Sequence, residues 1–214
     1  MRTTTLLIVL AAALAAPAGE TPKVDPVRIP AIVDLNNTTC PSSGDEIKGD
    51  AHVDWNGVRI HLCCNDCKAD VAKDPAAMLA KLHVKVVKDG DKTIVDLANA
   101  TCPVSSKPAK ADATVTMDGV CMHVCCNRCP KAAEKDPAAA CKALGYTYIP
   151  SVVDLRNATC PMSGKPVKAD VFADHDGIRV HFCCPNCPKE FEKDPAATFA
   201  KLGVDPAKVK EATK

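Results

Sequence analysis

Large side chains are scarce in this sequence: Phe, Tyr and Trp together make up 3% of its 214 residues. Small units built from so little aromatic bulk bury too little apolar surface to stand alone, so each needs a neighbour, a metal or cross-links. A charge excess is also missing. The 27 Lys and Arg nearly cancel the 26 Asp and Glu, leaving +1, and the two signs are interspersed. That excludes an electrostatic footprint for nucleic acid or for an acidic membrane surface. No carboxylate cluster suited to Ca²⁺ or Mg²⁺ is present. Ser, His and acid residues do not recur together as a nucleophile–base set, so nothing reads as an enzyme. A second long hydrophobic run is absent as well. The one that exists, Leu6 to Leu14 behind Arg2, ends at Ala16-Pro17-Ala18, a small-x-small cleavage pattern. Residues 1–18 are therefore expected to be a signal peptide, with an uncleaved anchor as the rival reading. The expected product is an exported protein, periplasmic or extracellular, with no stable membrane span after signal removal.

What the chain does have is cysteine: fourteen of them. His61-Leu62-Cys63-Cys64-Asn65-Asp66-Cys67 returns as His123-Val124-Cys125-Cys126-Asn127-Arg128-Cys129 and as His181-Phe182-Cys183-Cys184-Pro185-Asn186-Cys187. Each copy follows a lone Cys-Pro, at Cys40, Cys102 and Cys160, by the same interval. This period outweighs the length prior and divides the chain into repeats at 33–82, 95–144 and 153–202. Residues 19–32, with Pro22, Pro26 and Pro30, read as an extended linker. Residues 83–94 alternate around Asp89-Gly90 and read as a linker with room for a hairpin. Residues 145–152 read as a short linker, and 203–214 as a tail forming a frayed helix.

Within a repeat the grammar is constant. A short strand such as Val33-Asp34-Leu35 runs into Asn37-Thr38-Thr39, whose side chains suit a turn more simply than glycosylation. The Cys-Pro sits on that turn. Asn56-Gly57, Asp118-Gly119 and Asp176-Gly177 are type I′ hairpin dipeptides, so strands flank each. On the second strand Val58, Ile60, Leu62 and Cys64 share one face, and Arg59, His61 and Cys63 the other. A helix follows, with the last cysteine in its first turn. It breaks at Asp74-Pro75, Asp136-Pro137 or Asp194-Pro195, where Asp suits an N-cap and Pro the first helical position of a second short helix. The expected fold class is α+β: three tandem small treble-clef-like units, each a β-hairpin plus one or two short helices around a cysteine cluster.

Two chemistries compete for the thiols. Outside a reducing cytosol cysteines tend to pair, for instance Cys40 with Cys63 or Cys67, giving a disulfide-stapled tandem interaction module without metal. A cysteine on a turn before a hairpin, with further cysteines where the hairpin enters a helix, instead describes a metal unit, and three identical sets favour it. The second position of a regular Cys-x-x-Cys corner is Ser43, Ser105 or Ser163, so one ligand is missing. Cys64, Cys126 and Cys184 are candidate replacements; each completes the site, pairs oxidatively or simply packs. His61, His123 and His181 share the face of the first strand cysteine and are further candidate ligands. Thiolates are soft donors, so Zn or Cu(I) is the expected ion. Thiol–disulfide exchange by Cys64-x-x-Cys67 and its counterparts is a third reading, though a thioredoxin-like βαβ context is lacking. Cys121 and Cys141, found only in repeat two, are candidates for a private disulfide.

The third repeat runs Cys160-Pro161-Met162-Ser163-Gly164-Lys165-Pro166-Val167, then Gly177 to Phe191, then Asp194-Pro195. In this it resembles the YHS domain and the related TRASH heavy-metal domains, nearly end to end. The resemblance implies that Cys160, Cys183 and Cys187 match the family's cysteine positions, as do Cys40, Cys63, Cys67 and Cys102, Cys125, Cys129. It also implies heavy-metal trafficking, resistance or sensing, with a metal transporter or another exported protein as partner. Cys64, Cys126 and Cys184 depart from the family pattern.

Overall fold

The computed structural model describes residues 24–212; the expected signal segment, 1–18, lies outside the described residues. Among the described residues no helix is long and apolar enough to cross a membrane. The architecture is α+β in three repeated units. Unit one contains β2 (Ile32–Asp34), the hairpin β3 (His52–Trp55) and β4 (Val58–His61), then α1 (Lys68–Lys73) and α2 (Pro75–Lys81). Unit two contains β6 (Lys92–Asp96), β7 (Thr114–Met117), β8 (Val120–His123), α3 (Cys129–Lys135) and α4 (Pro137–Ala143). Unit three contains β10 (Val152–Asp154), β11 (Phe172–His175), β12 (Ile178–His181), α5 (Cys187–Lys193) and α6 (Pro195–Lys201). Between and around them lie β1 (Val27–Ile29), β5 (Lys85–Asp89), β9 (Thr147–Ile149) and α7 (Pro206–Ala212).

Local chemistry explains most of these elements. Both residues of each hairpin turn have positive φ: 47° and 85° at Asn56-Gly57, 46° and 87° at Asp118-Gly119, 49° and 73° at Asp176-Gly177. These are the left-handed values a type I′ turn demands and an Asn-Gly or Asp-Gly pair tolerates. The second helices start where Asp74, Asp136 and Asp194 accept the backbone N–H of Ala77, Ala139 and Ala197 at 2.9, 2.9 and 3.0 Å, with Pro at the first helical position. On β4, Val58 and Ile60 are fully buried while Arg59 and His61 stay half exposed, the alternation of a sheet with one covered face.

Each sheet has four strands, and the fourth is where the units differ. In unit two, β5 folds back on β6 as a hairpin through Gly90, and β6 then lies parallel to β8. In unit one the equivalent edge is β9, and in unit three it is β1. Val27, Arg28 and Ile29 pair with Asp154, Val153 and Val152, and Ile32, Val33 and Asp34 with Ile149, Tyr148 and Thr147. The register is the same on both sides of the break, so 27–34 and 147–154 form one antiparallel ribbon shared by two sheets. Stretches 19–32 and 145–152, expected as linkers, therefore contribute strands. The reason is chemical: Pro30 and Pro150 stand where unit two has Lys92, which faces Asp89 across the Gly90-Asp91 turn, and a residue without an N–H cannot make the bond that closes a hairpin there. Each strand runs straight on and finds its partner in the other unit.

Packing follows the same division. One core joins units one and two, from Val33, Leu35, Ile60, Leu62 and Leu79 to Val95, Leu97, Met122, Val124 and Cys141. Unit three has its own, built on Phe182, Phe191 and Phe199, with Phe191 and Phe199 edge to face at 5.7 Å. In the tail, α7 is capped by Asp205, which accepts the Ala207 N–H at 3.0 Å, and Val209 packs on the unit-three core.

Candidate metal centres

The Cys-Pro turn is a knuckle. The Cys40 N–H donates to the Asp45 carbonyl and its own carbonyl accepts from Gly44, at 2.8 and 2.9 Å. The return needs a left-handed residue, supplied by Gly44 (φ 84°), Ser106 (φ 57°) and Gly164 (φ 69°) in the three units. Thr39, Thr101 and Thr159 bridge to Glu46, Pro108 and Pro166 to close it. Opposite the knuckle, β4 ends at His61 and the chain turns at once into α1, bringing Cys63 and Cys67 over Cys40.

The outcome is three triads: Cys40, Cys63 and Cys67; Cys102, Cys125 and Cys129; Cys160, Cys183 and Cys187. In each, all sulfurs lie within 4.8 Å of one another, two of the three cysteines buried. The Cys63–Cys67, Cys125–Cys129 and Cys183–Cys187 sulfurs are 3.7, 3.7 and 3.8 Å apart. A tetrahedral ion with bonds of ~2.3 Å to sulfur sets its ligands ~3.8 Å apart, so the donor set fits a thiophilic metal without rearrangement. Hydroxyls of Ser43, Ser105 and Ser163 touch Cys63, Cys125 and Cys183 at 3.3, 3.1 and 3.1 Å, occupying the corner where a fourth cysteine of a regular site would stand.

Cys64, Cys126 and Cys184 lie outside the triads. Because the strand ends before them, Cys64 leaves the apolar face and is exposed, and the other two are half exposed. Each nevertheless touches the buried helix-start sulfur: Cys64–Cys67 3.6 Å, Cys126–Cys129 3.4 Å, Cys184–Cys187 3.2 Å.

The protonation pattern follows from donors. Burial pushes Cys40 up, but the backbone N–H groups of Ser43, Cys63 and Ser42 and the Ser43 hydroxyl outweigh it and bring the pKa down to about 6. Burial is outweighed likewise at Cys102, at about 6, by the Ser105 hydroxyl and the N–H of Val104, and at Cys160, at about 7, by the N–H of Cys183. Cys67 moves the other way, to about 12, chiefly because Cys64 takes its S–H. Cys129 is pushed up to about 12 by Cys126 in the same manner. Cys187 is raised by burial and then by Cys184. One thiol of each triad is thus drawn toward the thiolate by backbone and serine donors while another is pushed toward keeping its proton, which a bound cation would displace.

Other predicted residues fall elsewhere. His61, His123 and His181 join no triad: their Nε2 atoms sit on Asp34, Asp96 and Asp154 at 2.8, 3.0 and 3.1 Å. Asn37, Asn99 and Asn157 each accept the N–H of that histidine and donate to its carbonyl, all at 2.7 to 2.9 Å. This clamp binds the first strand of the unit to the hairpin and keeps the end of β4 in place above the knuckle. Sequence reasoning passed over the aspartates, although Val-Asp-Leu in all three repeats signals them: an acid at the end of a half-buried strand needs a partner.

No disulfide joins any of the fourteen cysteines in the structure. Three sulfurs converge in each unit, so a bridge between any two would orphan the third. Cys121 and Cys141, candidates for a private pair, are separate. Cys121 faces Thr116, Thr114 and Asp96 on the outer side of the sheet, whereas Cys141 is fully buried in the core on the other side. Adjacent strand residues point to opposite faces, which puts the sheet itself between the two thiols. No family model, curated protein or solved structure matches the chain, so what these centres do is read from their own geometry.

Proposed function

We propose that this protein binds thiophilic metal ions, one at each cysteine triad, as an exported buffering or handover protein or with the ions as structural staples, and not as an enzyme. The observation that supports this reading is the triad itself: three sulfurs within 4.8 Å, built the same way in three units, with no disulfide. Zn(II) and Cu(I) are the ions that suit three soft thiolates. A likeness to YHS and TRASH domains, export and delivery to a metal transporter belong to the same proposal. The sharing of core and strands between units favours buffering or handover over stapling, because burial already holds the fold together.

Metal analysis of protein purified under reducing conditions, paired with thiol counting, tests it. The expected result is about three ions per chain, one per triad, with the triad thiols free after acid release. A metal-free protein whose thiols are consumed in disulfides would sink the reading. Replacing Cys40, Cys63 and Cys67 by Ser should remove one ion and leave two. Retention of the native circular dichroism in that variant would rule out the stapling role.

A further inference from the structure

We infer that in each unit the outer and helix-start cysteines, Cys64 with Cys67, Cys126 with Cys129 and Cys184 with Cys187, form a thiol–disulfide exchange site whose oxidation takes a ligand away from the triad. The inference rests on the metal reading above and assigns its regulation: metal is held when the pair is reduced and released when it is oxidised.

Three observations carry it. The outer sulfur lies nearer the helix-start sulfur than the strand-end triad sulfur does in every unit, at 3.6, 3.4 and 3.2 Å against 3.7, 3.7 and 3.8 Å. In units two and three the backbone already closes a turn across the pair, since the Cys129 and Cys187 N–H groups donate to the Cys126 and Cys184 carbonyls at 3.1 and 3.2 Å. A turn of that kind holds its end Cα atoms within ~7 Å, near the span a disulfide bridges. Access then divides the labour. Cys64, Cys126 and Cys184 are exposed or half exposed, while Cys67, Cys129 and Cys187 are buried, so an incoming disulfide meets the outer sulfur first.

The chemistry is ordinary exchange with a small-molecule disulfide of the glutathione type as oxidant. The outer sulfur attacks, a bond forms from it to one sulfur of the oxidant, the oxidant's S–S bond breaks and one thiolate leaves. The helix-start sulfur then attacks the outer sulfur, closing the protein disulfide and expelling the second thiolate. Two protein sulfurs are oxidised and one disulfide is reduced to two thiols; the outer thiol's proton ends on the first departing sulfur, and since the metal-bound helix-start sulfur has already lost its own, the cation leaves and the second departing thiolate takes its proton from water. The triad is left with two thiolates, Cys40 and Cys63 in unit one, too few to retain the ion.

The test uses the full chain loaded with Zn(II) and treated with oxidised glutathione, following zinc with a chromophoric chelator and mapping disulfides by mass spectrometry. Zinc release together with Cys64–Cys67, Cys126–Cys129 and Cys184–Cys187 bridges is expected. The variant carrying Cys64→Ser, Cys126→Ser and Cys184→Ser should bind as much zinc under reducing conditions and release it at least tenfold more slowly under the oxidant. Equal release rates, or first bridges that include Cys40, Cys102 or Cys160, overturn the inference, as does a variant that no longer binds zinc, since the outer sulfurs are then ligands. Should the reduced wild-type chain bind no zinc, the metal reading fails by itself, and the disulfide map of the oxidised chain still decides the pairing.

Discussion

Unit two completes its sheet with its own hairpin strand, β5, whereas units one and three complete each other's through the ribbon of β1–β2 with β9–β10. The triads do not register this difference. Their paired sulfurs are 3.7, 3.7 and 3.8 Å apart whichever way the sheet is closed. The cysteine triad is thus specified by the knuckle, hairpin and helix start alone, and the fourth strand serves cohesion. The cores show the same freedom. Where unit three places Phe182, Phe191 and Phe199, unit two has Val124, Ala133 and Cys141, and it makes up the lost volume by sharing a core with unit one.

The largest expected change comes from making unit three resemble unit two without its shared core. Phe191 is fully buried, and Phe191→Ala should cost about 3–5 kcal/mol, read as lost hydrogen-exchange protection in β10 to β12 of the zinc-free chain. A loss under about 1 kcal/mol would mean that unit three is supported by its neighbours after all. Next is the ribbon. Val153→Pro, at the ribbon position opposite Arg28, removes the bond that ties β10 to the Gly177 carbonyl of its own unit at 2.8 Å, for about 1–3 kcal/mol, and should lower protection in unit three first and in unit one through the shared ribbon, while the β5–β8 sheet keeps its own. Equal losses in all three sheets would break the distinction. The hairpin tips come third. A Cβ at Gly57 would stand 2.4 Å from the Asp118 carbonyl oxygen of unit two, whereas one at Gly177 meets nothing nearer than 3.8 Å. Both residues have positive φ, so each Gly→Ala change costs about 1–2 kcal/mol, and Gly57→Ala should cost more, measured by urea denaturation with Trp55 fluorescence.

The smallest difference is electrostatic. Cys40 and Cys102 are held near 6 and Cys160 near 7, against the ordinary 9.0, so thiolate absorbance of the reduced, metal-free chain should rise first for units one and two and trail in unit three. Between these values and 9.0 the unfolded chain binds protons the folded one has released. The contribution to stability is therefore complete above 9.0 and is lost as the pH falls through 7 and 6. Cys67, raised to about 12, works oppositely, its contribution fading as the pH climbs from 9.0 through 12. The sign is checked by denaturation at two pH values within the lower window.

Much of this was legible in the residues because it is local. An Asp-Gly pair or an Asp-Pro cap carries its conformation within two positions, and the cysteine spacing gathers four thiols in each unit, among which the resemblance to YHS domains names the three of each triad. The ribbon was not legible, since three-residue strands beside Pro30 and Pro150 carry no periodicity, and their partners are set by packing far along the chain. Cys64 was misplaced by continuing the strand alternation one turn too far. The histidines share a face with Cys63, but that face also carries Asp34, and an imidazole beside a carboxylate takes the nearer partner.

The ribbon has a consequence in time as well as in space. The sheet of unit two can close as soon as its own residues are present, since Asp89-Gly90-Asp91 brings its edge strand home across a few bonds. The ends that units one and three need are about as distant as Asn36 and Gly145, 109 residues apart, and closing a loop of that length is entropically dearer and slower. The β5–β8 sheet is therefore expected to form before the ribbon, which pulse-labelled hydrogen exchange during refolding would show as earlier protection in β5 to β8 than in β1 and β10.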